Sequence, residues 1–474
     1  MRLGRTTLIH FSSQVAISVS GFVATLFIAR ELGSATLGVY ATVVALLFWT
    51  TIPSSAVGSA ITKRLSEGHD QGAYCVAGVV TTMILVGSVA LLAVTYGPWI
   101  DVYVGAPVTD LFVLLLVGTG LFNTTLAILN GQKKVAYSGL TQASDRVIRT
   151  TLQILLVIVG YELVGLLVGH VVALVCASVL ALFFFDVTPS RPTRTHFRSI
   201  YEYARYSWLG TLQSRAFGWM DTIVLAFFVA PSFIGIYEVS WNLASMLALV
   251  STSIQQTLFP ELSELSTADS YDRIRHYLEE GLVFTGVFAI PGLFGAAVLG
   301  PQILKIYSPE FQQGAQILLL LIVARTIAAF GDQFLSAINA VDRPDIAFRV
   351  NLAFVVANIV LNVILIWQFG WYGAAVATLL SALLSLVLGY YSLASLIGTP
   401  PVPAIEIGRE MIAASMMAVV VFALERAVPE NHYVTIALVF VGALVYTICL
   451  LALSKRVRVK AWGLLPAPIR GRVA

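Results

Sequence analysis

The chain has 474 residues, of which 58% are aliphatic, aromatic or cysteine and only 11% are charged. An ordinary soluble protein carries roughly a quarter charged residues, so this composition cannot cover a solvated globule of this size. A net charge of +3 leaves no nucleic-acid footprint, and the three cysteines, Cys75, Cys176 and Cys449, lie far apart in apolar runs, where they read as buried small side chains with no disulfide framework or zinc site.

A bilayer core needs about 20 apolar residues in a helix. That window predicts an all-α integral membrane fold with about fourteen spans, near 9–29, 38–61, 74–96, 109–130, 138–159, 163–185, 207–229, 237–259, 281–300, 313–337, 346–368, 372–394, 408–425 and 432–453. The first, flanked by Arg2 and Arg5, is too long for a signal-peptide core and is read as a retained span. Pro53 in the second span and Pro291 in the ninth mark expected kinks. Trp99, Trp367 and Trp371 fall near outer span ends, where amphipathic rings favour the interface.

Charge placement orients the spans. Numbering loops alternately from a cytoplasmic N-terminus puts Lys63/Arg64, Lys133/Lys134, Arg191/Arg194/Arg198, Arg273/Arg275, Arg343 and Lys455/Arg456/Arg458/Lys460 inside, against Arg30, Lys305 and Arg426 outside. The positive-inside rule produces this asymmetry, and both termini are expected in the cytoplasm of a multi-pass cell-membrane protein. The basic tail 455–474 either lies on the anionic inner leaflet or is a solvated end.

The two halves echo each other at a spacing near 200 residues. Gly38-Val39-Tyr40 recurs as Gly235-Ile236-Tyr237; Ala127-Ile128-Leu129-Asn130 before Lys133/Lys134 resembles Ala337-Ile338-Asn339 before Arg343; Gly160 and Gly165 resemble Gly370 and Gly373. Six helices per unit make a parallel repeat, two pseudo-symmetric bundles with a central cleft suited to alternating access. The expected divisions are an N-lobe over 1–190, a C-lobe over 191–395, and two further helices with a basic tail over 396–474.

Intramembrane charge is costly, about 2.5–3.5 kcal/mol at mid-span, so such residues face a cavity or a partner. The fifth span carries a polar stripe at helical spacing, Gln142, Arg146, Arg149 and Gln153, in which Asp145 can pair with Arg149 one turn on. The seventh carries Arg215 and Asp221, with Trp219 placed for a cation–π contact to Arg215; the tenth carries Arg325 and Asp332 on one face. Arginine holds its charge and bonds phosphate oxygens bidentately. Arg146, Arg149, Arg215 and Arg325 are therefore candidate substrate-binding residues of a cationic cleft, with Asp145, Asp221 and Asp332 as charge partners or ion-coupling groups. The competing reading is a set of buried salt bridges between helices, such as Arg215 with Asp332. His10 and His170 read as structural histidines, and Asn358 and Asn362 as bonds to a neighbouring helix. No phosphate-binding G-x4-G-K-[ST] loop, HExxH or G-x-S-x-G motif occurs, and no cofactor, metal site or catalytic residue is expected.

The segments Phe27-Ile28-Ala29-Arg30-Glu31-Leu32-Gly33 with Gly38-Val39-Tyr40, Trp219-Met220-Asp221-Thr222-Ile223-Val224-Leu225, Phe259-Pro260-Glu261-Leu262, and Asn358 to Ile366 followed by Gly370 and Gly373 to Thr378 carry a family resemblance. The sequence resembles the polysaccharide flippase branch of the multidrug/oligosaccharidyl-lipid/polysaccharide (MOP) exporter superfamily, over about residues 9–394. The resemblance implies two six-helix lobes plus two helices, and movement of a polyprenyl-linked oligosaccharide from the inner to the outer leaflet by alternating access. Its implied partners are the bilayer, the lipid-linked glycan, and glycosyltransferases or a polymerase of the same pathway. It transfers no substrate residue. Two alternatives stand beside it. One is a cation-coupled drug or metabolite exporter of the related multidrug branch, with Asp221 and Asp332 as ion ligands. The other is a membrane glycosyltransferase or polymerase, for which the outer loops are short.

Overall fold

The computed structural model describes residues 2–267 and 270–464, with side chains described except at 2–16, 208–217, 248, 250 and 461–464. Among these residues the regular structure is helical. In chain order the helices are α1 (Arg2–Thr50), α2 (Ile52–Ser66), α3 (Gln71–Thr95), α4 (Gly97–Val104), α5 (Thr109–Gly131), α6 (Val135–Ile158), α7 (Glu162–Leu182) and α8 (Arg194–Phe228). Then follow α9 (Pro231–Thr267), α10 (Tyr271–Lys305), a 3₁₀ turn (Pro309–Gly314), α11 (Ala315–Ala340), α12 (Pro344–Phe369), α13 (Trp371–Ile397), α14 (Ala404–Ala427), α15 (His432–Leu453) and α16 (Lys455–Leu464).

Among the described residues, eleven helices are long and apolar enough to cross a membrane. The distance from eleven to the expected fourteen lies in three places. Helix α1 counts once, yet Gly33 breaks it with φ 76° and ψ 179°, a conformation only glycine adopts readily. Helix α6 has the length but carries Asp145, Arg146 and Arg149. In α8 the described apolar stretch is Gly218–Phe228. The kink expected at Pro53 is a break at Thr51, between α1 and α2, whereas Pro291 lies inside a continuous α10.

The chain forms two compact units, 1–235 and 236–474. In the first, α1, α3, α5 and α7 share a core through Val43, Leu47, Val86, Phe112, Leu115 and Leu174. A second core joins α2, α3, α5 and α8 through Ile61, Leu65, Ala77, Ile128, Ile200 and Ala204. Helix α8, which the repeat in sequence assigns to the second half, therefore packs with α2 and α3 in the first unit. In the second unit, α9, α10, α11 and α13 pack around Leu262, Ile274, Phe334, Ile338 and Leu393. Helices α10, α14 and α15 pack around Val283, Leu299, Ala413, Met417 and Leu438. Lipid and side-chain interior are equally apolar, so close fit rather than water exclusion holds such helices together. The outward faces keep an apolar coat: Leu91, Ile158, Val419 and Phe440 are each more than two-thirds exposed.

The repeat is visible in turn geometry. Lys133 after α5 has φ 61° and Asp342 after α11 has φ 59°. The next amide bonds back to the same helical position in each, Lys134 N–H to Leu129 O at 2.9 Å and Arg343 N–H to Ile338 O at 3.2 Å. Gly160, between α6 and α7, and Gly370, between α12 and α13, both have positive φ.

Two expectations need correction. Trp99 and Trp367 are exposed as interfacial rings should be, but Trp371 is buried, its ring edge-on to Tyr372. Cys176 is exposed on α7, where an apolar thiol suits a lipid-facing position.

Candidate functional site

Helix α6 is polar along one side and apolar along the other, and it packs against α1 and α7. Its polar stripe is turned onto those helices. Arg149 Nη2 donates to Asp145 Oδ2 at 2.5 Å, and the two side chains are only 13% and 8% exposed. This is the pair that the four-residue spacing anticipates. Arg146, one residue on, sets its guanidinium beside α1, 3.9 Å from where a Cβ on Gly21 would stand. One turn further, Thr150 Oγ1 donates to Ser20 O at 3.2 Å.

The stripe ends in a buried polar chain. Gln153 Nε2 donates to Leu166 O of α7 at 2.9 Å and to Tyr40 Oη of α1 at 3.0 Å. Tyr40 Oη in turn meets His170 Nδ1 of α7 at 3.1 Å. His170 is thus a structural histidine, as expected, held by the tyrosine of the Gly38-Val39-Tyr40 motif. This network ties α1, α6 and α7 together. An arginine keeps five N–H donors. Asp145 occupies Arg149 on one of them, and Arg149 Nε is buried with no hydrogen-bond partner.

In the second unit, Arg325 of α11 lies over the Trp241 ring of α9, 5.3 Å from its centroid. A partly desolvated cation gains from the ring's negative face. Asp332, two turns along α11, is exposed although it lies within a spanning helix, and it makes no ion pair within 4 Å among the described residues. Asp221, near the end of α8, is buried.

Six of the seven residues singled out from the sequence can thus be placed. Arg146, Arg149 and Asp145 come together on α6; Arg325 and Asp332 share α11; Asp221 lies on α8. The side chain of Arg215 lies outside the described residues, as does His10. Trp219, expected over Arg215, stacks on Phe48 of α1 with centroids 4.8 Å apart and planes 24° apart. The sequence reading missed Trp241 and Tyr40. Tyr40 was in view as a repeat motif but not as a partner of Gln153, because the two are 113 residues apart.

Several basic residues near helix ends are paired, among them Lys63, Arg64, Lys134 and Arg343. Arg64 and Lys63 hold Glu67 below the usual carboxylate range through the Arg64 hydrogen bond first, and Arg343 does the same for Asp345. No group of three or more His, Cys, Asp or Glu side chains suited to a metal ion occurs among the described residues.

A many-helix membrane fold with arginines enclosed in its wall is the architecture of a transporter, and comparison with known proteins gives the family. The model of the polysaccharide biosynthesis protein family matches residues 72–314. The chain is 34% identical over 472 residues, 98% of each protein, to "Probable flippase AglR" of Haloferax volcanii. It is 26% identical over 450 residues, 94% of this chain and 95% of the other, to "Probable low-salt glycan biosynthesis flippase Agl15" of the same organism. Its fold matches that of "Lipid II flippase MurJ, inward closed conformation" with a TM-score of 0.79 at 15% identity, covering 94% of this chain and 98% of that one. This chain belongs to the polysaccharide biosynthesis protein family.

Proposed function

We propose that this protein is a flippase that carries a polyprenyl- or dolichyl-(pyro)phosphate-linked oligosaccharide from the cytoplasmic to the outer leaflet of the cell membrane by alternating access. The observation that carries this reading is the pair Arg146 and Arg149, enclosed in the wall of a membrane protein with one carboxylate between them. The desolvation cost of two guanidinium groups there exceeds what Asp145 alone offsets, and an anionic head group supplies the rest. The near-full-length similarity to a probable flippase supports the same class. The cavity lined by Leu247, Pro291, Leu299, Met417, Leu438 and Gly442, about 310 Å³ and almost wholly apolar, offers a berth for the prenyl chain.

In this reading Arg146 and Arg149 receive phosphate on the inner side, and Arg215 and Arg325 hold it at mid-depth. Asp145, Asp221 and Asp332 balance charge or couple an ion. The working divisions are lobes over 1–190 and 191–395 and an appendix over 396–474, with both termini cytoplasmic. Glycosyltransferases or a polymerase of the same pathway act before and after it, and no bond is made or broken by this chain. The alternative, a cation-coupled exporter of the multidrug branch, has one observation on its side, the exposed and unpaired Asp332 within α11.

The test is flux of a fluorescent lipid-linked oligosaccharide in proteoliposomes. Each lost charge-assisted bond to phosphate is worth about 1.5–3 kcal/mol, so Arg146→Ala or Arg325→Ala lowers flux by about tenfold or more. Wild-type flux in both variants at equal protein content rejects the assignment. Export of organic cations with no glycolipid flux favours the alternative.

A further inference from the structure

Glu410 is fully buried in α14, and neither carboxyl oxygen has a hydrogen-bond partner. It sits about 9 Å along α14 from the helix start at Ala404, well inside the bundle formed with α10 and α15. Tyr446 on α15, in the same packed cluster as Ala413, Ala414 and Met417, is also buried, and its hydroxyl is also without a partner. On α10 the backbone makes room for the carboxyl at Gly286: a Cβ there would stand 2.1 Å from Glu410 Oε2. Three helices thus close around this carboxyl in an apolar core of Val283, Ala413, Ala414 and Met417.

The neighbouring charges are already engaged. Glu406, one turn earlier on α14, takes Arg409 at 2.6 Å and Ser454 at 2.7 Å. On α10, Glu279 pairs with Arg456 at 2.5 Å, and Glu280 pairs with Lys460 and His276. Among the described residues no basic side chain pairs with Glu410 within 4 Å. An ionised carboxylate here gives up its hydration and receives nothing in return. With two carboxyl oxygens and one phenol, the donor set is too small to replace the hydration shell of a metal cation. A single proton, by contrast, neutralises the group and needs no further ligands.

We propose that Glu410 is a proton-binding site, that its protonated form takes up the unpartnered Tyr446 hydroxyl as a hydrogen-bond partner, and that loading and unloading it changes how α14 seats against α10 and α15. The site stands whatever the cargo; its use as a coupling site for transport rests on the flippase reading above.

The test is difference infrared spectroscopy of the full-length protein in liposomes, stepped across pH in potassium buffer. A protonated-carboxyl C=O band that is lost on raising pH, is absent in Glu410→Gln and is displaced in Tyr446→Phe supports the site. Glu410→Gln mimics the proton-loaded group, so it leaves the melting temperature at or above that of wild type at high pH. A pH-dependent band unchanged in Glu410→Gln overturns the proposal. So does a band abolished at constant pH by exchanging potassium for sodium, which marks a sodium site instead. Flux in Glu410→Gln that no longer responds to an imposed pH gradient assigns the coupling role. Retained band behaviour in a protein that moves no glycolipid removes the flippase reading and leaves the proton site standing.

Discussion

Gly38 and Gly235 meet backbone to backbone. A Cβ on Gly38 would stand 1.8 Å from the Pro231 carbonyl oxygen and 2.9 Å from the Gly235 nitrogen; a Cβ on Gly235 would stand 2.1 Å from the Ser34 oxygen. These are the first glycines of the two echoing Gly-x-Tyr motifs. Gly38→Ala and Gly235→Ala each force rigid backbone apart, and each should destabilise the protein by about 1–3 kcal/mol, the usual range for overpacking. Gly87→Ala, on α3 with open space around it, serves as the control and should be neutral or slightly stabilising. Thermal unfolding in detergent compares the three; an unchanged melting temperature in both motif variants contradicts the contact.

The Asp145–Arg149 pair is enclosed, so removing one partner strands the other. Asp145→Ala should cost about 3–5 kcal/mol, while Asp145→Asn combined with Arg149→Gln should recover most of the loss. The same unfolding measurement reports both. A loss below about 1 kcal/mol for Asp145→Ala means that the pair is hydrated, as exposed pairs are.

Gln153 supplies both of its amide protons across helix boundaries, to Tyr40 and to Leu166 O. Gln153→Leu leaves a buried carbonyl and a buried hydroxyl short of a donor, a cost of about 1–3 kcal/mol. Tyr40→Phe removes a shared hydrogen bond, so the double variant should lose less than the sum of the single ones. Strict additivity shows that the two side chains do not bond.

Outside the membrane, the Lys305 ammonium bonds Glu430 at 2.5 Å and holds its carboxyl below the usual range. A carboxyl lowered in the folded state contributes stability that is present above its unfolded value and lost as pH falls through the folded one. Hydrogen exchange in the α14–α15 loop should therefore speed up only on the acid side, and Lys305→Met should move that onset to higher pH. An onset at the same pH in both proteins excludes the pair as the tie.

The spans were legible because apolar runs of membrane length survive any tertiary arrangement, and the repeat because identical turns need similar residues. The Asp145–Arg149 pair was legible for a local reason: four residues make one turn of any helix. Trp219 shows where such reasoning stops. Its ring stacks on Phe48, which lies far away in sequence and which no local spacing signals. Trp241 under Arg325 escaped notice for the same cause. The assignment of α8 is a further case: sequence order groups it with the second half, whereas its packing surface of Ile200 and Ala204 meets α2 and α5.

Composition and periodicity by themselves determine that this chain lives in a bilayer, that it is helical, that it is built of two echoing halves, and that arginines lie within its spans. Hydropathy and helical repeat are local properties, carried by residues within about twenty positions of one another. Only the tertiary structure decides which polar groups are satisfied. Asp145 finds its arginine on its own helix, Gln153 reaches α1 and α7, and Glu410, one unremarked acid near the end of a weak span, becomes a carboxyl with no partner because two other helices close over it.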